Sequence, residues 1–261
     1  MSGGGQAPAL PDDACAALAS YFFTIPMRTN PAGPPLAALR VLATLVFALA
    51  LPVFLVTSGV RWVALGEGFY LEEFARHRVG QTTGLSNAEL TEVARAFITY
   101  FQMPAQRMEG AVALPASRGP LLNERELAHM ADVQLLIHRV FDLWGAALVA
   151  LVGSAVAIVI ARPATGGRAL VRAGALGGAL AVLAVGAVAA ASLLDFSQLF
   201  LRFHLASFSN DLWMLDPARD RLIQLFPLGF FFDAAIRIAV QTVAIGAIIT
   251  AVSLAALRQM R

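Results

Sequence analysis

Lysine is missing from this chain, and all 19 of its basic residues are arginine. A lysine nucleophile or Schiff base is therefore excluded. Cysteine occurs once, at Cys15, so no disulfide can close within the chain. Cys15 stands in DDACAAL, which lacks the apolar run that a lipoprotein signal needs. Charge is sparse, at 14% of residues against 58% hydrophobic. A formal net charge of +2 is weak evidence for any partner, and no nucleic-acid partner is expected. There is no G-x-S-x-G elbow, no H-E-x-x-H, no P-loop and no Gly-rich dinucleotide fingerprint. A covalent enzyme intermediate and a bound cofactor are both unsupported, leaving base-assisted direct transfer or a metal site.

What is present is apolar length. With a mean hydropathy of +0.71, the chain carries charge-free runs at 41–60, 143–161, 173–194 and 238–257. Each is close to the roughly 20 residues that cross a bilayer as a helix. The expected fold is an all-α polytopic membrane protein with four transmembrane helices, at about 37–62, 134–161, 172–194 and 228–257. They form one membrane domain, 36–261, after a mobile cytoplasmic tail, 1–35, that has no cleaved signal. Arg162, Arg168 and Arg172 between spans two and three, with Arg258 and Arg261 after span four, mark the cytoplasmic side. Both termini then lie in the cytoplasm, and segments 63–133 and 195–227 share the outer face. Pro52 predicts a mild kink in span one.

Segment 63–133 reads as a mainly helical cap. Residues 66–78 form an amphipathic helix with Phe69, Tyr70 and Phe74 on one side and a solvated His77 at its end. Ser86 and Glu89 make a capping box, and Leu85 can staple to Leu90. Leu90, Val93, Ala94, Phe97 and Ile98 then share a helical face. Residues 103–122 read as a loop or loose hairpin. Asn123 and Glu126 repeat the cap pattern and open a run with no breaker before Arg162, which either projects straight or bends near 134–139. In span three, Gly174 and Gly178 make a G-x-x-x-G pair suited to close packing. FPLGFFFD, at the head of span four, suits an interfacial anchor. Asp233 and Arg237, one turn apart, are expected to pair.

The most polar stretch near a span is 202–227, which holds His204, Asn210, Trp213, three aspartates and three arginines. Such a cluster near lipid is a candidate site. His129, on the outer side at the head of span two, has Glu126 and Asp132 three residues away on either side, on one helical face. His129 and His204 can therefore converge from distant sequence. A neutral imidazole near pH 7 takes or gives a proton, and a neighbouring carboxylate can fix its tautomer. The competing reading leaves each as an ordinary interfacial residue. His138, four residues before Asp142, reads as a paired membrane-boundary residue. Ser197, Ser207 and Ser209 lie near His204 but stand in no nucleophile motif.

Three stretches carry a resemblance: E-x-x-H-M-x-D-V at 126–133, F-H-x-x-x-F-S-N-D-x-W-x-x-D-P-x-x-D-x-L-I-x-x-F-P at 203–227, and TGLSNAEL at 83–90. Together they resemble the bacterial lipoprotein intramolecular transacylases. The resemblance implies a multi-pass protein of the bacterial cell membrane with its active site at the outer leaflet. Its substrate would be a diacylated lipoprotein, with membrane phospholipid as surroundings. The sn-2 acyl chain of an S-diacylglyceryl cysteine would move to the α-amine of that cysteine. In that reading His204 is the base and His129 its partner, or the reverse. Glu126 and Asp132 orient His129, and Asn210 and Trp213 shape the loop and can donate to an oxyanion. Asp216, Pro217 and Asp220 build a turn. Two alternatives stand beside it. One is a metal-dependent membrane hydrolase using His129, Asp132, His204 and Asp211. The other is a non-catalytic lipid-binding or assembly subunit.

Overall fold

The computed structural model describes residues 34–104, 120–161 and 163–260. The N-terminal tail with Cys15, and most of the expected loop at 103–122, lie outside the described residues. Within them all regular structure is helical. The four apolar runs form α1 (Pro34–Leu65), α5 (Glu124–Ala161), α6 (Pro163–Leu194) and α9 (Leu228–Gln259). Each contains an 18-residue window of mean hydropathy between 2.1 and 2.4. Helices satisfy their own backbone polar groups, which is what crossing a hydrocarbon core demands. Large apolar side chains such as Val149, Ile160 and Leu183 stand exposed on their outer faces, where lipid covers them in a multi-pass membrane protein.

The long helices are packed by small residues. A Cβ placed on Gly178 of α6 would lie 2.6 Å from the carbonyl oxygen of Gly246 on α9, so the two backbones touch there. At one end of the bundle Ala43 of α1, Ile158 of α5 and Ala173 of α6 form a small core. That end gathers the starts of α1 and α6 and the ends of α5 and α9. One boundary differs from the sequence reading, and one open choice is resolved. Helix α6 begins at Pro163, so Arg168 and Arg172 ride on its first turns rather than in a connector. Helix α5 is one helix of 38 residues, about 57 Å long at 1.5 Å per residue. Pro52 lies inside α1, which continues through it.

At the other end, the described residues between α1 and α5 form three helices: α2 (Glu67–Arg76), α3 (Val79–Thr83) and α4 (Asn87–Gln102). Gly84 closes α3 at φ +70°, a left-handed turn that glycine takes without strain. Ser86 and Glu89 then form the expected capping box of α4. The apolar faces meet in an aromatic core of Phe69, Tyr70, Phe74, Phe97, Tyr100, Phe226 and Phe230. Phe97 and Phe226 stand 4.8 Å apart between ring centroids. Each buried phenyl stabilises the assembly by about 2 kcal/mol. Phe226 and Phe230 therefore serve this core, whereas the sequence reading made them an interfacial anchor.

The expected Asp233–Arg237 pair is replaced by contacts to α2. Arg237 donates to Glu72 at 2.8 Å and lies over the Phe69 ring. Asp233 bonds His77 at 2.8 Å. Helix α2 lies across the start of α9 and offers both partners, and Gly229 leaves room for the His77 ring. His77 is thus half-buried and paired rather than solvated.

Candidate active site

Between α6 and α9 the chain makes α7 (Phe196–Ser207) and α8 (Arg221–Leu225), where the sequence reading had only a polar loop. Asp195 ends the preceding apolar run and caps α7, accepting from the Gln198 amide at 3.1 Å. Ser197 bonds the same carboxylate at 2.6 Å, which ties up its hydroxyl in the cap. Phe196, Phe200 and His204 recur every four residues, so they share one face of α7. That spacing places His204 on the last turn, against the core side.

His129 sits on the second turn of α5. Its register is fixed by Tyr100, whose hydroxyl donates to the Met130 carbonyl at 3.2 Å, and by Gln134, whose amide donates to the Tyr100 carbonyl at 2.7 Å. His129 and His204 meet, with ring centroids 6.3 Å apart. Both are buried, at 6% and 8% exposure. Phe208 packs on both rings, at 5.1 and 5.6 Å, while Phe200 and Trp213 flank His204 at 4.3 and 5.0 Å. Phe203, whose ring lies 5.3 Å from His204, stands exposed, as do Leu205 and Met214 in the neighbouring sequence.

The two histidines have different polar surroundings. His204 Nδ1 lies 2.8 Å from the Phe200 carbonyl oxygen. A carbonyl only accepts, so Nδ1 carries the proton and Nε2 keeps its lone pair. Burial pushes the His204 pKa below its ordinary value, and the bond to the Phe200 carbonyl opposes this. The His129 Nδ1 is buried with no hydrogen-bond partner. A buried polar atom without a partner is costly, and such an atom beside a second histidine is a place where a substrate group can supply the missing bond.

The supporting residues are placed as follows. Glu126 does not orient His129. One of its oxygens accepts from the Asn123 amide and the other from the Leu222 amide, each at 2.6 Å, so the carboxylate joins the start of α5 to the start of α8. The helix-terminal amides outcompete the imidazole because they are orphan donors at fixed positions. Asp132 accepts from the Asn210 side-chain amide at 2.8 Å. Asn210 in turn accepts from the Leu212 amide and, through its carbonyl, from the Trp213 indole at 2.9 Å. The Asn210 and Trp213 donors that were candidates for an oxyanion are thereby engaged in holding the loop. Arg125 donates to the Asp211 carbonyl at 2.7 Å, and Asn123 to Asp220 at 2.9 Å. Asp216 and Asp220 close the turn around Pro217.

Several contributors escape a sequence reading. Phe200 and Phe208 wall the pair, and Asn123 with Arg125 pins the loop to α5. The four-residue Phe200–His204 spacing is a usable signal once α7 is taken as helical. His138 bonds the Phe101 carbonyl at 3.1 Å, across to α4, whereas the sequence reading paired it with Asp142.

The hydrolase quartet of His129, Asp132, His204 and Asp211 is not drawn together as a metal site. Among the described residues, the one group of three whose ligand atoms all lie within 4.8 Å of one another is Glu73, His77 and Asp233. There Arg76 Nε lies 3.4 Å from Glu73 and 4.0 Å from Asp233, so a fixed cation already serves the carboxylates.

With this geometry in hand, comparison with known proteins is direct. The family described as lipoprotein intramolecular transacylase Lit matches residues 45–231. Solved structures of Lit from Bacillus cereus share the fold. One superposes with a TM-score of 0.68 at 19% identity, covering 86% of this chain and 99% of that one. A variant of that protein with one histidine replaced by alanine gives 0.69 at 20% identity, covering 86% and 96%. Another, with the histidine replaced by arginine, gives 0.68 at 19%, covering 94% and 98%. Comparison with curated proteins gives no match.

Proposed function

Because the chain belongs to the lipoprotein intramolecular transacylase Lit family, an acyltransferase family of membrane proteins, we propose that it moves an acyl chain within one lipoprotein by histidine acid–base catalysis. The substrate is an S-diacylglyceryl cysteine with a free α-amine, held at the outer leaflet, with both termini of the enzyme in the cytoplasm. The observation that carries the reading is the meeting of His129 and His204 among aromatic side chains, one ring bonded to a backbone carbonyl and the other with a buried nitrogen lacking a partner among the described residues.

The chemistry follows from the proton positions. His204 Nε2 takes the proton of the α-amine as its nitrogen attacks the sn-2 ester carbonyl. The nitrogen–carbon bond forms and an oxyanion develops, which a protonated nitrogen of His129 stabilises. The carbon–oxygen bond to glycerol then breaks, and the departing oxygen receives a proton from the histidine pair. The net change is one amide made, one ester lost and one proton moved from nitrogen to oxygen. An α-amine has a pKa of about 7.7 to 8, so a neutral imidazole deprotonates it without extreme tuning. Amine and ester belong to one substrate, so positioning supplies much of the rate and no acyl-enzyme is needed. The exposed apolar side chains of Phe203, Leu205 and Met214 suit the acyl chains.

The test is tandem mass spectrometry of the N-terminal peptide of a diacylated lipoprotein co-expressed with this chain, in a bacterium lacking the activity. Wild type is expected to give the lyso form with an N-acyl chain. His129→Gln and His204→Gln should each lower conversion by at least about a hundredfold, with the protein still inserted in the membrane. Unchanged lipoprotein beside inserted wild type would favour a non-catalytic subunit, and full conversion by either variant would overturn the histidine mechanism.

A further inference from the structure

At the bundle end remote from the histidine pair, arginines gather with no carboxylate beside them among the described residues. Arg40 on α1 and Arg168 and Arg172 on α6 line an open cavity of about 470 Å³, with Thr165 between them. The sequence has no acidic residue from 14 to 66 or from 143 to 194, and none after Asp233. None of these three arginines therefore has a carboxylate on its own helix, and none forms an ion pair among the described residues. Among the described residues Arg40 reaches only the Thr165 hydroxyl, at 3.4 Å, and Arg168 donates to the Met260 carbonyl. Holding three guanidinium groups around one space costs mutual repulsion unless an anion sits among them.

The geometry points to a binding site for the phosphate of an anionic glycerophospholipid. Guanidinium groups from two helices can grip phosphate oxygens in paired hydrogen bonds. A basic pocket between membrane helices is the electrostatic form that lipid headgroups seek. The wall of the cavity decides between a lipid and a soluble anion. Val41 and Leu45 border it on α1, and with Leu49 they make a stripe at four-residue spacing, all more than half exposed. That stripe runs about 12 Å from the arginines toward the middle of the bundle, a track for an acyl chain attached to the bound phosphate. The site is separate from the histidine pair: His129 and Ala161, at opposite ends of α5, are about 48 Å apart along the helix.

Delipidated full-length protein in a neutral detergent tests this, with bound lipid read by native mass spectrometry. Phosphatidylglycerol is expected to give a saturable one-to-one adduct, with phosphatidylcholine at least about tenfold weaker. Each of Arg40→Gln, Arg168→Gln and Arg172→Gln should weaken the adduct about fivefold. The triple lysine variant, which keeps charge where a neutral variant fails to fold, should retain the preference for the anionic lipid. Equal binding of the two lipids, or an undiminished adduct in folded glutamine variants, overturns the site. Inorganic phosphate that displaces phosphatidylglycerol at matching concentration assigns the site to a soluble anion and overturns the lipid claim.

Discussion

Two regions near the same end of the bundle each combine a histidine with nearby carboxylates, and they use them in opposite ways. At His77 the imidazole bonds Asp233 at 2.8 Å and approaches Glu73 at 3.4 Å, with Arg76 alongside. Its ring nitrogen is committed to holding α2 against α9. At His129 and His204 the carboxylates are turned elsewhere: Glu126 serves two helix starts, and Asp132 serves Asn210. The rings are left among phenyl and indole faces, with a backbone carbonyl as the polar partner of His204. The His77 imidazole makes a clasp between two carboxylates, whereas His204 is held by a carbonyl through Nδ1, which leaves the Nε2 lone pair facing aromatic rings.

After the two histidines themselves, changing what surrounds the pair should have the largest effect. Replacing Phe208 by Asn removes an aromatic wall shared by both rings and admits water. Conversion is expected to fall by about tenfold or more. The acid side of the pH–rate profile should also move. With His204 as the proposed base, its lowered pKa keeps the imidazole neutral below the ordinary histidine value of about 6.5. Activity is therefore present above that value and lost only as pH falls through the lowered one. In Phe208→Asn the loss should begin at a higher pH. A profile that does not move, measured on folded protein, would count against burial as the tuning force.

A smaller effect is expected at the loop. Asn210→Asp places a second carboxylate 2.8 Å from Asp132, and like charges that close repel. The loop should loosen and conversion fall severalfold, mainly through KM, while the double change Asp132→Asn with Asn210→Asp restores an amide–carboxylate pair and recovers activity. The smallest catalytic effect belongs to the clasp. His77→Gln should leave conversion near wild type but lower stability by about 1 kcal/mol, seen as a reduced melting temperature in detergent. A loss of activity as large as that in His204→Gln would erase the contrast between the two regions.

Much of this was legible in the sequence, for identifiable reasons. The four spans announce themselves through uninterrupted apolar length, and the caps at Ser86 and Asn123 through local chemistry that needs no tertiary knowledge. His129 and His204 stand out because polar residues are rare near lipid. Local spacing misleads where a distant donor wins. Asp233 and Arg237 lie one turn apart, yet α2 brings His77 and Glu72 closer to each. Glu126 has His129 as a helical neighbour, but the Leu222 amide, 96 residues away in sequence, takes one of its oxygens. Helix α7 was obscured by its polar sequel. Its Phe196, Phe200 and His204 periodicity was present, but the Asn, Asp and Trp residues after it made the whole stretch read as loop.

The unbroken α5 has a mechanical meaning. At about 57 Å it is nearly twice the thickness of a typical hydrocarbon core, and it contains no proline at which it could fold over. It behaves as a gauge rod, setting His129 at a fixed height above the far rim of the bundle. Lipid esters float at a level set by the bilayer and not by the protein. A thicker membrane lifts those esters along the rod and a thinner one lowers them, so under the proposed mechanism the alignment of bond and imidazole becomes a property of the membrane as much as of the protein.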